Sequence, residues 1–295
     1  MDLSHLAIAV VGGDEREQEI ARLAATTGAQ VRAYGFPWPE RGIAAVTPAE
    51  SAKAALDGAR YALFPIPGQA MDGSLFAPAA TAPIIPDRET LSGMQPGGTI
   101  ILGWANDALR EAAQELGLSI DEYEWDVELM LLRAPAIVEG ALQVIIANSR
   151  VTIHNTDVLV VGHGNIGRVL ARTLVLLGAR VHLAARNPVQ RADALSAGCT
   201  PIRLEQINDV APRVQMVLST VPAAVVNRET LSLLPPESVV VDLSAPPGGI
   251  DLDAARELGH TALWARGLGR RAPITVGASQ WGGIARRIQQ MEQAR

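Results

Sequence analysis

The sequence predicts an α/β protein made of two doubly wound parallel-sheet domains with a cleft between them. Three observations predict it. Short apolar runs alternate with amphipathic segments along both halves of the chain, the pattern of strands joined by crossover helices. Glycines recur directly after two of those runs, at "VVGGDERE" and "VVGHGNIG". At 295 residues the chain is long enough for two domains, each with its own core.

In the first half "LAIAVVGG" reads as a buried strand and Glu15 to Thr26 as a helix. "AQVRAYGF", "YALFPIP" and "GGTIILGW" read as further strands, with helical stretches between them and helices on both faces of a parallel sheet. Pro135 to Arg150 is a long helical pattern that opens with Pro and leads into the strand "VLVVG", so it is expected to bridge the domains. Second-half strands are expected at Val158–Val161, Val181–Ala185, Val214–Ser219, Val239–Leu243 and Ala262–Ala265. The tail, Ser279 to Gln293, is helical and is expected to return to the first domain. The expected division is 1–134 with 279–295 for the first domain and 135–278 for the second.

Composition narrows the function classes. Apolar residues make up 48% and charged residues 19%, which is globular and not disordered. Twenty-five basic residues against 31 acidic ones, with no basic cluster, argue against nucleic acid as a partner. Cys199 is the single cysteine, so no disulfide forms within the chain, and no two histidines stand at the spacing of a metal pair. The amino-terminal apolar run is short and flanked by acidic residues, unlike a signal peptide. No window reads as a membrane span free of glycine or charge, so the expected location is the cytoplasm.

Gly162, Gly164 and Gly167 form G-x-G-x-x-G inside a complete strand–helix–strand unit, the fingerprint of a Rossmann dinucleotide cradle. Gly162 serves the tight turn, Gly164 the approach of pyrophosphate, and Gly167 close packing of the helix; Asn165 and Ile166 lie between them. NAD sites place Asp or Glu at the end of the next strand. Here that place holds Arg186, then Asn187 and, further on, Arg191, a set that suits a 2′-phosphate and favours NADP. The alternative is a surface arginine with NAD bound regardless. The first-half turn carries Asp14, Glu15 and Glu17, which would repel a pyrophosphate, so a second dinucleotide site is not expected there; Arg16 is a candidate anion contact.

Other candidates follow from position. Thr220, Val221 and Pro222 end a strand and are expected to meet the nicotinamide half. Asp242 and Ser244 end another, with Asp242 either facing the ligand or orienting a loop. Ser244, Arg270, Arg271, Thr275 and Ser279 are the expected substrate contacts, because arginines and hydroxyls suit a carboxylate. Glu139, among apolar residues of the bridging helix, is expected to be buried and able to move a proton, or else to serve as a capping or hydrogen-bonding group. His154 is the second acid–base candidate. Trp38, Trp104 and Trp281 are candidate interface anchors.

Together "IAVVGGDERE", "VEGA", "VTIHNTDVLVVGHGNIGRVLARTLVLLGARV", "STVP", "VVDLSAPPGGID" and "GLGRRAPITVGASQ" resemble the A subunit of dipicolinate synthase over nearly the whole chain. That resemblance implies the two-domain layout of formate/glycerate and alanine dehydrogenases. It implies oxidation of a dihydrodipicolinate-type precursor, formed from a hydroxytetrahydrodipicolinate, to pyridine-2,6-dicarboxylate with NADP. It also implies a partner, the flavoprotein-like B subunit, in the mother cell of a sporulating bacterium. No catalytic residue is carried over with it. Two rivals stand beside it. A D-2-hydroxyacid dehydrogenase would need a histidine after Pro near the last loop, where this chain has Ile274 after Pro273. The other rival is a non-catalytic NADP-binding regulatory or scaffold subunit.

Overall fold

Two six-stranded sheets, every strand parallel to its neighbours, carry the fold. The computed structural model describes residues 1–295. They divide into two units, Met1–Arg133 with Ala272–Arg295, and Ala134–Arg271.

In the first unit the elements run β1 (Ala7–Val11), α1 (Glu15–Ala25), β2 (Gln30–Tyr34), β3 (Val46–Pro48), α2 (Ala52–Leu56), β4 (Tyr61–Leu63), α3 (Arg88–Leu91), β5 (Thr99–Leu102), α4 (Asp107–Glu115) and β6 (Ser119–Glu122). The strand order is β3-β2-β1-β4-β5-β6, so the chain reverses direction across the sheet between β1 and β4. Helix starts follow local chemistry: the side chains of Ser51, Asp87 and Asn106 accept from backbone N–H groups of the turns they cap.

Helix α5 (Val127–Asn148) runs from the first unit into the second. It starts eight residues before the expected Pro135, which lies inside it. Asp126 provides the start, accepting from the N–H groups of Glu128 at 2.9 Å and Leu129 at 3.2 Å. The proline removes one internal bond, but Leu129 on one side and Val138, Ala141 and Ile145 on the other are buried, which holds the helix through it. By length and composition this helix is apolar enough to cross a membrane, with mean hydropathy 1.7, although it carries Gly140 and the charged Glu128, Arg133 and Glu139.

The second unit continues with β7 (Asp157–Val161), α6 (Asn165–Leu176), β8 (Arg180–Ala184), α7 (Pro188–Ser196), β9 (Thr200–Ile202), α8 (Ile207–Val210), β10 (Met216–Ser219), α9 (Arg228–Ser232), β11 (Val239–Asp242), α10 (Leu252–Glu257) and β12 (Thr261–Trp264). The order β12-β11-β10-β7-β8-β9 repeats the first sheet's topology. Both faces are covered, which explains the unbroken apolar strands: Val158 and Val160 face one core, Leu159 and Val161 the other. Helix α11 (Pro273–Gln293) belongs to the first unit and starts earlier than the expected Ser279, because Pro273 occupies its first turn with φ already set. It packs on α1 so closely that a Cβ on Gly277 would lie 2.6 Å from the Arg16 carbonyl oxygen. Trp281 is buried in this helix rather than exposed as an interface anchor would be; Trp38 tilts against Phe36 with ring centroids 5.1 Å apart, and Trp104 is partly exposed.

Candidate functional site

In an open parallel sheet ligands gather at the carboxyl edge where the strand order reverses. Each unit has a glycine turn there, after β1 and after β7. The two turns are chemically opposite.

After β1 the turn is closed by its own residues. The Gly12 N–H donates to the Tyr34 carbonyl at 2.8 Å and the Gly13 N–H to the Phe76 carbonyl at 2.6 Å. Glu17 folds back into the turn, accepting from the N–H groups of Asp14 at 2.8 Å and Ile66 at 3.0 Å. Asp14 caps α1 in a complete capping box with Glu17. Arg16 is buried and holds Asp14 with two bonds, from Nε at 2.8 Å and Nη2 at 2.9 Å, so the candidate anion contact is already taken by a carboxylate. Burial pushes the Glu17 carboxyl up to about 7, against the pull of Arg16 and the two amides. Sequence reasoning missed this buried group, although Asp14-x-x-Glu17 is the capping-box spacing.

After β7 the turn is open. Gly162 has φ +97°, and a Cβ there would lie 2.6 Å from Thr220 Oγ1 and Val221 Cγ2. A Cβ on Gly167 would lie 2.2 Å from the Gly162 carbonyl oxygen, so α6 comes against the turn as only glycine allows. Gly164 is different: a Cβ there would meet nothing within 4 Å. Gly164 is also the N-cap of α6 and offers no side chain to its first N–H groups, which include those of Asn165 and Ile166. An uncapped helix start beside an open backbone is an anion cradle. Thr220 closes one wall, with its N–H and Oγ1 both donating to the Val161 carbonyl at 2.9 and 3.2 Å, and Val221 and the exposed Pro222 follow it.

The neighbouring strand, β8, ends beside this turn, tied to it by the Gly162 N–H and the Ala184 carbonyl at 2.9 Å. Arg186 follows two residues later, exposed and without an acidic partner. Asn187 caps α7, accepting from the Val189 N–H at 2.8 Å. Arg191 braces the same corner, its Nη1 donating to the carbonyls of Ala185 at 2.8 Å and Arg186 at 2.6 Å. His163, inside the turn, is buried and pairs with Asp193 at 2.8 Å, a partner 30 residues away that no local pattern signals. Cys199 is buried, and that burial pushes its thiol up to about 11, which removes it as a nucleophile.

Several expected contacts take other roles. His154 stands at the amino edge, three residues before β7, with its ring against Gly178. A five-residue strand at roughly 3.3 Å per residue separates it from the cradle, so it is not an acid–base group there. Nearby, burial works to raise the Asp157 carboxyl, yet hydrogen bonds from Arg180 and His182 hold it below the usual range. Ser244 is buried and donates both its N–H and its hydroxyl to Asp242 Oδ1, at 2.9 and 2.6 Å. It is a strut, not a substrate contact. Asp242 orients the loop: its Oδ2 accepts from the N–H groups of Gly249 at 2.6 Å and Ile250 at 3.1 Å. Glu139 is not buried; it is exposed on α5 and pairs with Arg271. Arg270 and Arg271 are exposed in the short 3-10 turn Leu268–Arg271. Thr275 and Ser279 lie on α11 in the other unit, and Ser279 Oγ donates to the Val276 carbonyl at 2.8 Å. Sequence reasoning also passed over Trp264, which ends β12, donates from Nε1 to the Ser244 carbonyl at 2.9 Å, and carries the Arg266 guanidinium 5.8 Å from its ring centre.

Residues 7–123 match the N-terminal domain of the dipicolinate synthase A subunit, and residues 139–246 match the NAD-binding domain of D-isomer specific 2-hydroxyacid dehydrogenases. The dipicolinate synthase A subunit of Bacillus subtilis is 27% identical over 277 residues, 93% of each chain. The crystal structure of the dipicolinate synthase A subunit from Bacillus halodurans superposes with a TM-score of 0.89 at 25% identity, covering 97% of this chain and 98% of that one. D-lactate dehydrogenase of Escherichia coli shares the fold at 17% identity and a TM-score of 0.62, covering 98% and 97%. The open cradle and these likenesses agree: the chain is a two-domain NAD(P)-dependent oxidoreductase-like protein, similar along nearly its whole length to the A subunit of dipicolinate synthase.

Proposed function

We propose that this chain is an NADP-dependent dehydrogenase that forms pyridine-2,6-dicarboxylate from a dihydrodipicolinate-type precursor, itself derived from a hydroxytetrahydrodipicolinate. It works with a flavoprotein-like B subunit in the cytoplasm of a sporulating bacterium's mother cell. One observation carries the cofactor: an uncapped helix start beside open Gly164, with the unpartnered, exposed Arg186 at the end of the adjacent strand. The amides of Asn165 and Ile166 hold the pyrophosphate, and Arg186 holds the 2′-phosphate. Arg191 keeps the Arg186 corner in place. When bound, the dinucleotide supplies a two-electron oxidant. The chain's own task is then to orient a planar dicarboxylate with cations such as Arg270 and Arg271 and to accept one proton. Similarity to the dipicolinate synthase A subunit over 93% of the chain supports the substrate class and the partner.

Titrating NADP and NAD into the wild-type protein and Arg186→Ala tests the cofactor. Loss of a charge-assisted contact, about 1.5–3 kcal/mol, weakens NADP by roughly 10- to 150-fold and leaves NAD unchanged. Equal wild-type affinities for the two refute the assignment. Following NADPH absorbance with the precursor, with and without the B subunit, tests the reaction. The expected result is slow or no turnover alone, restored turnover on mixing, and a larger species on a sizing column. NADP binding without turnover in either case would leave a non-catalytic regulatory subunit.

A further inference from the structure

Glu139 and Arg271 form an ion pair within the second unit. The neighbouring residue explains why they meet. A Cβ on Gly140 would lie 2.9 Å from Leu268 Cβ and 3.2 Å from the Leu268 carbonyl oxygen, so α5 lies tight against the turn that carries Arg271. The contact holds the two charged groups opposite each other, yet both remain open to solvent, with side-chain exposures of 60% for Glu139 and 38% for Arg271. An exposed pair of this kind is weak. A ligand carboxylate offers the guanidinium the same two oxygens and competes for it against the tethered Glu139, and the weakness of the exposed pair is what lets it do so. Arg270, next in the same turn, adds a second positive charge.

We infer that Arg271 is a carboxylate receptor whose resting occupant is Glu139, and that an arriving dicarboxylate displaces Glu139 and releases it as the proton acceptor. The last step rests on the dehydrogenation proposed above; the exchange does not. In that step, with oxidised NADP bound, one ring C–H bond would break and its hydrogen would leave with both electrons to the dinucleotide, the two-electron oxidant. A neighbouring ring hydrogen leaves as a proton to a Glu139 oxygen, turning the carboxylate into the acid. The electrons left behind complete the aromatic ring, and Glu139 later returns its proton to water. Binding and proton acceptance are thereby coupled: the carboxylate that takes up the proton is free only when the substrate is seated.

The test uses the full chain and pyridine-2,6-dicarboxylate as the probe, by calorimetric titration at low salt. Glu139→Gln removes the competitor, so the probe binds roughly two- to fivefold tighter than to the wild type. Arg271→Ala removes the receptor, and binding weakens about tenfold or more. A merely structural Glu139 would leave affinity unchanged or lower it, and either result overturns the exchange, as does a wild type that does not bind the probe. With precursor and the B subunit both present, Glu139→Gln is expected to turn over about a hundredfold more slowly; equal turnover overturns the proton-acceptor role and leaves the dehydrogenation standing. If the binding pattern holds but even the wild type forms no NADPH, the exchange stands and the proposed reaction falls.

Discussion

Replacing Asp242 by Asn changes one atom of a buried carboxylate and should loosen the loop after β11. Its two oxygens accept four bonds, from the Ser244 N–H at 2.9 Å, the Ser244 hydroxyl at 2.6 Å, the Gly249 N–H at 2.6 Å and the Ile250 N–H at 3.1 Å. The asparagine oxygen can keep Gly249 and Ile250, which have no other partner in the loop. Its NH2 then faces Ser244, whose hydroxyl rotates to accept, but whose N–H is left orphaned. Three bonds weaken by about 1 kcal/mol each as the charge is lost, and an unpaired buried N–H adds about 1–3 kcal/mol. Relief from burying a charge and non-additivity within one network reduce the sum to roughly 3 kcal/mol. Two units make global unfolding a poor two-state measurement, so amide hydrogen exchange is the better assay. Gly249 and Ile250 should lose protection about a hundredfold, and Trp264, tied to the Ser244 carbonyl at 2.9 Å, should change its fluorescence. Unchanged protection at both amides would show that the carboxylate does not hold the loop.

The cradle and the closed turn give two more tests. Gly167→Ala would put a Cβ 2.2 Å from the Gly162 carbonyl oxygen and 2.9 Å from Thr220 Oγ1; pushing α6 away should lower stability by about 1–3 kcal/mol and weaken NADP. Thermal unfolding and a cofactor titration that both match wild type would contradict the packing described. For Glu17, burial raises the folded-state value from 4.5 to about 7, so between those values the folded protein holds the proton that the unfolded chain has lost. Its contribution therefore declines as pH rises through that window. The stability of Glu17→Gln relative to wild type should improve by about 2.5 kcal/mol from pH 5 to pH 8, whatever its offset. A difference that stays flat with pH would mean Glu17 is not the titrating group.

The sequence by itself determined the parts that rest on local pattern. Unbroken apolar runs such as Val158–Val161 can be satisfied only by strands covered on both faces, and the glycine spacing 162-164-167 can be read because each position answers a backbone need of a single turn. Asp14-x-x-Glu17 has the spacing of a capping box within four residues, a local signal that the sequence reading passed over. Tertiary structure alone decided which polar groups stay available to a ligand. Ser244 stands at the carboxyl edge as its strand end implied, yet Asp242 takes its hydroxyl. Apolar neighbours in the chain suggested burial for Glu139, but helical periodicity turns it outward, and the Gly140–Leu268 contact places it against Arg271. His154 lies eight residues before Gly162 in the chain, but a whole strand runs between them, which puts the histidine at the opposite edge of the sheet. Some hydrogen-bond partners lie far apart in the chain, as His163 and Asp193 do at 30 residues. The commitment of a side chain therefore depends on neighbours that only the folded chain supplies.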